Sequence, residues 1–330
     1  MSMVIILVCR DSVDEDAVLG GRMADEDQGQ ELDTKIYEVR PSAGKGFGVF
    51  ATKLITRGTQ IIVEEPLVSV AMPEMVAGKG FKMMDMLSDL EREFQALSPE
   101  QQADFLQLHD FRFASEDKQS HLLTIFRSNA FNTGDKHVGL FPTIARINHS
   151  CRPNSGNWWS EKQGHRVIYA ALDIQEGEEV TVSYIPLLKK SSERQQRLGQ
   201  YGFTCDCPAC QSEPGESDKR RVKISRLLET LEQRVYHPSM KADTNEKSID
   251  KALSLIEMIE EEGLADYLHR AFKLAALFNK IGGHFEDAEM WARKALEILQ
   301  WAEQGSIEAR EILDFMESLA PGNLKENSIL

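Results

Sequence analysis

Three cysteines lie within six residues of one another and could bind a metal ion. Cys205, Cys207 and Cys210 follow a C-x-C-x-x-C pattern, which places three thiols in one loop. A structural zinc ion takes four ligands in a tetrahedron, so a fourth must come from elsewhere. Cys151 is the expected ligand because it lies in a sharp, polar segment rather than in an apolar stripe. The weaker alternatives are His149, His165 and Cys9.

A zinc ion held by four thiolates has no open position for water, so this site would be structural rather than catalytic. It would tie the loop after Gly202 onto the protein near Asn148. Free buried thiols are the other interpretation. Metal ligation is favoured because crowded thiols in a reducing compartment gain most by losing their protons to a metal.

Composition limits the classes of protein and of partner. The chain has 330 residues, of which 42% are hydrophobic, so it can bury a substantial core, and its length favours two domains. The formal net charge of −15 disfavours a broad contact with nucleic-acid phosphates, and direct nucleic-acid binding is not expected. A basic, lysine-containing protein or peptide suits this charge better.

The N-terminal segment, residues 1–33, is acidic and predicts a flexible leader. Its first residues could alternatively add an edge strand. The short apolar run at 3–8 lacks a basic flank and leads into acidic residues, so it fits neither a signal peptide nor a membrane span. We expect a nuclear or cytoplasmic monomer without membrane association.

The elements that would position the cysteines begin at Ile36. Alternating apolar residues and a glycine-rich turn at 44–48 predict short strands up to residue 70. Residues 83–126 change to helical spacing, and Ser98 with Gln101 forms a capping-box pattern. Strand patterns return at 166–170 and 179–185.

Helical patterns dominate the remainder of the chain. Residues 192–200 predict a short helix with a capping box from Ser192 and Gln195. Residues 212–218 resemble a polar linker, and residues 219–330 predict helical hairpins. Residues 282–288 resemble the turn of a tetratricopeptide repeat, and this is the one convincing repeat unit.

Four motifs, taken in order, resemble the SET and post-SET regions of protein lysine methyltransferases. They are GFGVF at 46–50, RINHSCRPN at 146–154, EGEEVTVSY at 176–184 and YGFTCDCPAC at 201–210. The resemblance spans roughly residues 35–211, and the helical tail extends it to the SET-and-MYND type. It implies an α+β fold of small sheets with a helical insert, a zinc-binding post-SET loop and an all-helical, TPR-like C-terminal domain.

The expected domain order follows from the resemblance and the patterns together. It comprises the leader 1–33, a SET domain 34–186 with its insert at about 83–126, a post-SET zinc region 187–211 and a TPR-like domain 219–330. The MYND zinc finger of this type usually follows the first β segment, yet residues 71–80 contain no cysteine. We therefore expect a protein without that finger.

The resemblance also implies a site for S-adenosylmethionine. In the family, the glycine turn contacts this cofactor, here through Lys45, Gly46 and Phe47. Tyr184 would be the catalytic tyrosine and Tyr201 would line the lysine channel. The further residues implied to contact the cofactor are Asn129, Asn148, His149, Tyr184 and Phe203.

The implied reaction is an in-line attack by a neutral lysine amine on the sulfonium methyl, which leaves S-adenosylhomocysteine. Desolvation and the nearby sulfonium charge would lower the pKa of the substrate lysine, so no dedicated base is required. The competing hypothesis is an inactive SET/TPR-like scaffold that binds proteins. A zinc hydrolase is disfavoured because four thiolates leave no site for an activated water.

Overall fold

A computed structural model describes residues 35–76, 80–116, 118–211, 214–236 and 242–320. The predicted leader at 1–33 and Cys9 lie outside these residues. The α+β class and the helical C-terminal region predicted from the sequence are confirmed.

Twelve short strands in the described residues form four small sheets. They are β1 (Tyr37–Ser42), β2 (Gly46–Ala51), β3 (Gln60–Glu64), β4 (Val68–Ala71), β5 (Met75–Val76), β6 (Gly80–Phe81), β7 (Ala130–Asn132), β8 (His137–Leu140), β9 (Asn148–His149), β10 (Ser155–Ser160), β11 (His165–Ala170) and β12 (Glu179–Val182). The sheet orders are β1-β2-β12-β9, β10-β11-β3, β4-β8-β7 and β5-β6.

Ten α-helices lie in the same described part of the chain. They are α1 (Leu87–Ala96), α2 (Pro99–Leu106), α3 (His121–Asn129), α4 (Ser191–Leu198), α5 (Pro208–Gln211), α6 (Pro214–Tyr236), α7 (Ala242–Glu261), α8 (Leu268–Gly282), α9 (Phe285–Ala302) and α10 (Ile307–Glu317). No helix among the residues described is long and apolar enough to cross a bilayer.

The four-stranded sheet brings three distant motifs side by side. Strand β12 pairs antiparallel with β2 and parallel with β9, where Thr181 lies opposite Asn148. Val180 and Val182 are buried, as is Val49 on β2, so alternate residues hold the sheet on its core. The glycine turn, the Asn148–His149 pair and the strand leading to Tyr184 therefore share one edge of the fold.

The predicted helical insert contains α1, α2 and α3, which cover the β4-β8-β7 sheet through a separate apolar cluster. The capping box is present: the Ser98 hydroxyl accepts from the Gln101 amide at 3.2 Å, and the Gln101 side chain accepts from the Ser98 amide at 3.0 Å. Pro99 occupies the first helical position, where no amide proton is required. These local signals begin α2 at the predicted residue.

The C-terminal helices pack in chain order, α6 on α7, α7 on α8, α8 on α9 and α9 on α10. Between α8 and α9 the chain reverses at Gly283, whose φ of +84° places it in the left-handed region that favours glycine. The alanines on α8 and α9 are buried and allow the two helices to approach closely. The helical hairpins are thus present; their repeat classification stays a prediction.

One hydrophobic core joins the helical tail to the β segment. Leu187, Leu198 and Cys205 belong to the same buried cluster as Ile224 on α6 and Leu255 on α7. A second junction forms where the Gln60 side chain donates to the carbonyls of Trp301 and Ala302, at 3.0 and 2.9 Å, at the end of α9. The tail is therefore anchored to the body at two places.

Two sequence predictions were wrong in detail. The helix at 192–200 begins at Ser191, so Ser192 lies inside α4 and makes no cap, while Gln195 bonds the backbone of Cys205 instead. The predicted linker at 212–218 is largely helical because α6 already begins at Pro214. Ser217 in this segment bonds the buried Glu262 at 2.8 Å, a pairing that a linear pattern does not reveal.

The sequence patterns also failed to predict several strands and predicted one strand as too long. The pattern at 179–185 ends as strand at Val182, three residues early. The sequence did not predict β7, β8, β9 or β10, and three of these have two to four residues. Such strands exist because of their partners, β10 through its pairing with β11, rather than through any alternation of their own.

Candidate active site and metal centre

The four cysteines meet at one point. One ligand atom from each of Cys151, Cys205, Cys207 and Cys210 lies within 4.8 Å of all the others. In a tetrahedron with zinc–sulfur bonds of about 2.3 Å, the sulfurs would be about 3.8 Å apart. The Cys151 and Cys210 sulfurs are 3.6 Å apart. The donor set and this spacing therefore fit a tetrahedral zinc ion.

The elements around the cluster hold the thiols in place. Three of them lie in the loop from Gly202 through α5, and Cys151 follows β9. The Cys151 amide donates to the Cys207 sulfur at 3.4 Å. Hydrogen bonds from neighbouring thiols, that of Cys151 foremost, lower the pKa of Cys207, and hydrogen bonding with Cys205 and the other thiols raises the pKa of Cys151. The four thiols thus influence one another's ionisation. A divalent cation bound here would displace their protons.

His149 links this cluster to the aromatic residues. Its Nδ1 accepts a hydrogen bond from the Tyr184 amide at 3.0 Å, and its Nε2 lies 3.4 Å from the Cys151 sulfur. An imidazole with Nδ1 as acceptor carries its proton on Nε2, which then donates to sulfur. Burial lowers the pKa of His149 to about 4, so the ring is neutral at neutral pH.

Three aromatic residues form a wall beside His149. The Tyr184 ring lies 5.2 Å from that of Tyr201 and 6.3 Å from that of Phe203, centroid to centroid. The Tyr184 hydroxyl donates to the Ile147 carbonyl at 2.6 Å, and the Tyr201 hydroxyl lies 3.4 Å from the Tyr184 carbonyl. All three side chains are only partly buried. They form a surface rather than the sealed interior of a core.

Burial raises the pKa of both tyrosines. Their hydroxyls therefore stay protonated across the physiological range. They contribute hydrogen bonds and aromatic surface without adding negative charge. Aromatic faces of this kind attract cations through the electrostatic field of the ring.

A polar group lies at the other side of the Asn148–His149 strand. The Asn148 side chain donates to the Phe47 carbonyl at 2.9 Å and to the Glu179 carboxylate at 2.7 Å. Lys45 pairs with the second oxygen of Glu179 at 3.4 Å. Gly46 has a φ of +77°, and a Cβ built there would meet no atom within 4 Å. The glycine turn therefore offers an open face of backbone to a ligand.

These features agree with the comparisons to known proteins. Residues 46–185 match the family described as the SET domain. Over 275 residues the chain is 29% identical to histone-lysine N-methyltransferase set5 of Schizosaccharomyces pombe, covering 81% of this chain and 79% of that protein. The chain therefore contains a SET domain and is similar to a lysine methyltransferase over most of its length.

Other relatives share shorter segments with this SET-domain protein. Human histone-lysine N-methyltransferase SMYD3 is 42% identical over 82 residues, which is 24% of this chain and 19% of that protein. N-lysine methyltransferase SMYD2 of Sus scrofa is 34% identical over 137 residues, 38% of this chain and 31% of that protein. The chain thus spans less than a third of these two relatives.

Asn129 contacts a loop, residues 109–111, that packs on the post-SET segment. It is buried at the end of α3, and its side chain donates to the carbonyls of His109 and Ile125, both at 2.7 Å. Phe111, two residues beyond His109, packs its ring directly against Gly202. Residues 109–111 therefore stand between Asn129 and the post-SET loop.

The remaining predicted residues fall into three neighbouring groups of the SET-domain site. Lys45, Phe47 and Asn148 share the polar group with the glycine turn. The aromatic group contains His149, Tyr184, Tyr201 and Phe203, and the thiol group contains the four cysteines. His165 lies outside the thiol group.

Sequence reasoning missed several residues that support the SET-domain site. Glu179 lies within a quoted motif, yet its role in holding Asn148 appears only in the structure. Phe111 gave no signal at all. Arg194, Arg221 and Glu262 are fully buried near the cysteines, although charged residues in a helical pattern ordinarily indicate a solvated face.

Proposed function

We propose that this chain is a protein-lysine N-methyltransferase that uses S-adenosylmethionine as methyl donor. The observation that carries the proposal is the partly open aromatic wall of Tyr184, Tyr201 and Phe203, placed beside His149 and next to four converging thiols. The donor supplies an electrophilic methyl group on a sulfonium. An uncharged aromatic site suits a cationic donor that must release its methyl to a neutral amine.

The polar group and the glycine turn are proposed to hold the cofactor. Both amide protons of Asn148 are engaged by Phe47 and Glu179, so its carbonyl oxygen is the group left to accept a bond from the donor's amino groups. Phe203 would stack on adenine. The full proposed cofactor set is Lys45, Gly46, Phe47, Asn129, Asn148, His149, Tyr184 and Phe203.

Tyr184 is proposed as the catalytic tyrosine and Tyr201 as a wall of the lysine channel. Methyl transfer requires the amine nitrogen, the methyl carbon and the sulfur to lie in line, so the main task of the site is alignment. The substrate lysine enters as a cation and must lose its proton. Burial among aromatic rings favours the neutral amine because desolvation disfavours the charged form.

The four thiols are proposed to bind zinc as a structural ion. Cys151 belongs to the same turn as Asn148 and His149, while the other three thiols follow Phe203. The ion would therefore hold the aromatic wall against strand β9, which contains Asn148 and His149. It would supply no activated water because all four positions are filled by sulfur.

We propose a basic, lysine-containing protein or peptide as substrate. The net charge of −15 would steer such a partner towards the protein. Relatives carry names that include both histone-lysine and N-lysine methyltransferases. Histones and other basic proteins in the nucleus or cytoplasm are thus the first substrates to test.

Tyr184→Phe tests the proposal. The substitution removes the hydroxyl while keeping the ring, so transfer of labelled methyl to histones should fall by roughly 10²-fold. Affinity for S-adenosylmethionine, measured by calorimetry, should stay within a few-fold. Tyr236→Phe is the matched control because Tyr236 is 77% exposed and far from any proposed role.

Two results would contradict this function. Full activity in Tyr184→Phe would remove the tyrosine from the reaction. An absence of binding heat in the zinc-loaded parent chain would favour the competing hypothesis, in which the SET fold is an inactive scaffold and its helices bind proteins.

A further inference from the structure

Two fully buried arginines lie against the four-cysteine cluster. Arg194 on α4 and Arg221 on α6 are both 0% exposed. Arg221 donates from Nη2 to the Cys151 carbonyl at 3.0 Å. Arg194 donates to the Lys189 carbonyl at 2.7 Å, and the next residue, Gln195, bonds the Cys205 backbone at 2.7 and 2.9 Å. Buried guanidinium groups thus lie on two helices that also contact the backbone of the cysteine residues.

Arg221 also reaches the helical tail. Its Nε donates to Glu262 at 3.0 Å, and its Nη1 donates to the Leu187 carbonyl at 3.1 Å. Glu262, directly after α7, is 0% exposed and accepts a further bond from Ser217 at 2.8 Å. One planar side chain therefore joins the Cys151 turn, the chain before α4 and the junction of α6 with α7.

Two carboxylates lie against these arginines, Glu262 on Arg221 and Asp218 on Arg194. Glu262 is the one carboxylate in the described residues that is fully buried beside these arginines, and it is shared with Arg220 at 2.7 Å and Arg152 at 3.6 Å. Asp218, 3.6 Å from Arg194, keeps part of its surface in water. Because burial opposes the charge of a guanidinium, further negative charge close to these arginines would be stabilising.

A divalent cation with four thiolates carries two net negative charges. Such a centre would interact electrostatically with both buried guanidiniums. The charges of the arginines and of the thiolates would then stabilise one another. Beside four neutral thiols, the same arginines would have only the compensation from Glu262 and Asp218.

We propose that Arg194 and Arg221 are positioning residues that stabilise the charged metal centre, and that Arg221 couples metal binding to the docking of α6 and α7. The inference rests on the metal site of the proposed function, but it does not depend on methyl transfer. Coupling between two binding events is reciprocal. Metal binding therefore strengthens the α6–α7 junction, and an intact junction raises metal affinity.

The test uses Arg221→Met in the full chain, with Zn²⁺ affinity measured by competition with a chromophoric chelator. Loss of an outer-shell partner should weaken Zn²⁺ binding by roughly 10–100-fold. Arg270→Met is the matched control. Arg270 on α8 pairs with Glu232 at 2.6 Å, and Glu232 lies on α6, the helix that carries Arg221. This pair is away from the cysteine loop, so its loss should leave Zn²⁺ affinity unchanged.

Hydrogen exchange supplies a second readout that needs no variant. Stripping Zn²⁺ from the parent chain should accelerate amide exchange near Ser217 and Glu262, with less effect at the α8–α9 turn. Where Arg221→Met fails to fold, Glu262→Gln keeps the size of the side chain and should also lower Zn²⁺ affinity.

Equal Zn²⁺ affinity in Arg221→Met and in its control would overturn the proposal, as would exchange at the α6–α7 junction that ignores Zn²⁺. Failure of the proposed function looks different. If the protein binds Zn²⁺ with this coupling but transfers no methyl group, the role of the arginines is supported and the proposed enzyme activity is refuted.

Discussion

Gly202→Ala probes the turn that carries Tyr201 and Phe203. Gly202 has a φ of +85°, which costs an L-residue with a Cβ about 1–2 kcal/mol. The new Cβ would overlap the Phe111 ring, with the Cγ atom at only 2.9 Å. The ring has little room to withdraw because the Phe111 amide and carbonyl are hydrogen-bonded to Ser128 and Arg127.

Overpacking of this kind costs about 1–3 kcal/mol, so the combined loss of stability should be about 2–5 kcal/mol. The strain should also displace the aromatic residues on either side of the turn. Denaturant unfolding of the zinc-loaded chain measures the first effect, and calorimetry with S-adenosylmethionine measures the second. We expect weaker cofactor binding even where the variant is still folded.

Gly199→Ala, three residues upstream, is the control. Gly199 has a φ of −55°, and a Cβ built there would meet nothing within 4 Å. An alanine at such a position should be neutral or stabilising by about 0.4–1 kcal/mol, because it restricts the unfolded chain. Equal stability of the two variants would show that Phe111 does not pack on Gly202. It would also refute the connection from Gly202 through residues 109–111 to Asn129.

Two further predictions concern the metal and the pH. Chelation of the metal should abolish cofactor binding in calorimetry and disorder residues near Phe203. Cys9→Ser should keep both the cofactor binding and the order of that segment. Unchanged cofactor affinity in metal-free protein would argue against a structural zinc. Burial opposes ionisation of Glu262, but hydrogen bonds from Arg220 and Ser217 outweigh it and lower the pKa of its carboxyl. Because the folded pKa of Glu262 lies below the unfolded value of about 4.3, this stabilisation is complete above that value and is lost as the pH falls through the folded pKa. Glu262→Gln should therefore flatten that part of the curve of stability against pH. A variant curve parallel to that of the parent chain would refute the assignment.

Local signals in the sequence predicted those parts of the fold that depend on neighbours in the chain. The capping box at Ser98 and the strand alternation after Gln60 depend on residues a few positions apart, and both are present. The C-x-C-x-x-C spacing likewise placed three thiols in one loop. Cys151 required an argument about ligand number, and the structure brings its sulfur to the other three.

The missed features depend on partners far along the chain. Gln195 fitted a capping box with Ser192, but its side chain is used by the Cys205 backbone ten residues away. Arg221 lies in a helical pattern, and its neighbours in the sequence do not show that it bonds Glu262 and the Cys151 carbonyl. Charge in a linear pattern does not show whether its partner is water or a buried group.

The core that supports the aromatic wall is built largely from the helical tail. Tyr184, Tyr201 and Phe203 pack on the cluster that also contains Leu255 and Ala271. A damaging change in α7 or α8 should therefore appear as an active-site defect, although those helices lie outside the SET-domain match at 46–185. Variants that impair this enzyme can thus arise far from its chemistry, and the tail must be kept whole when the catalytic half is studied or engineered.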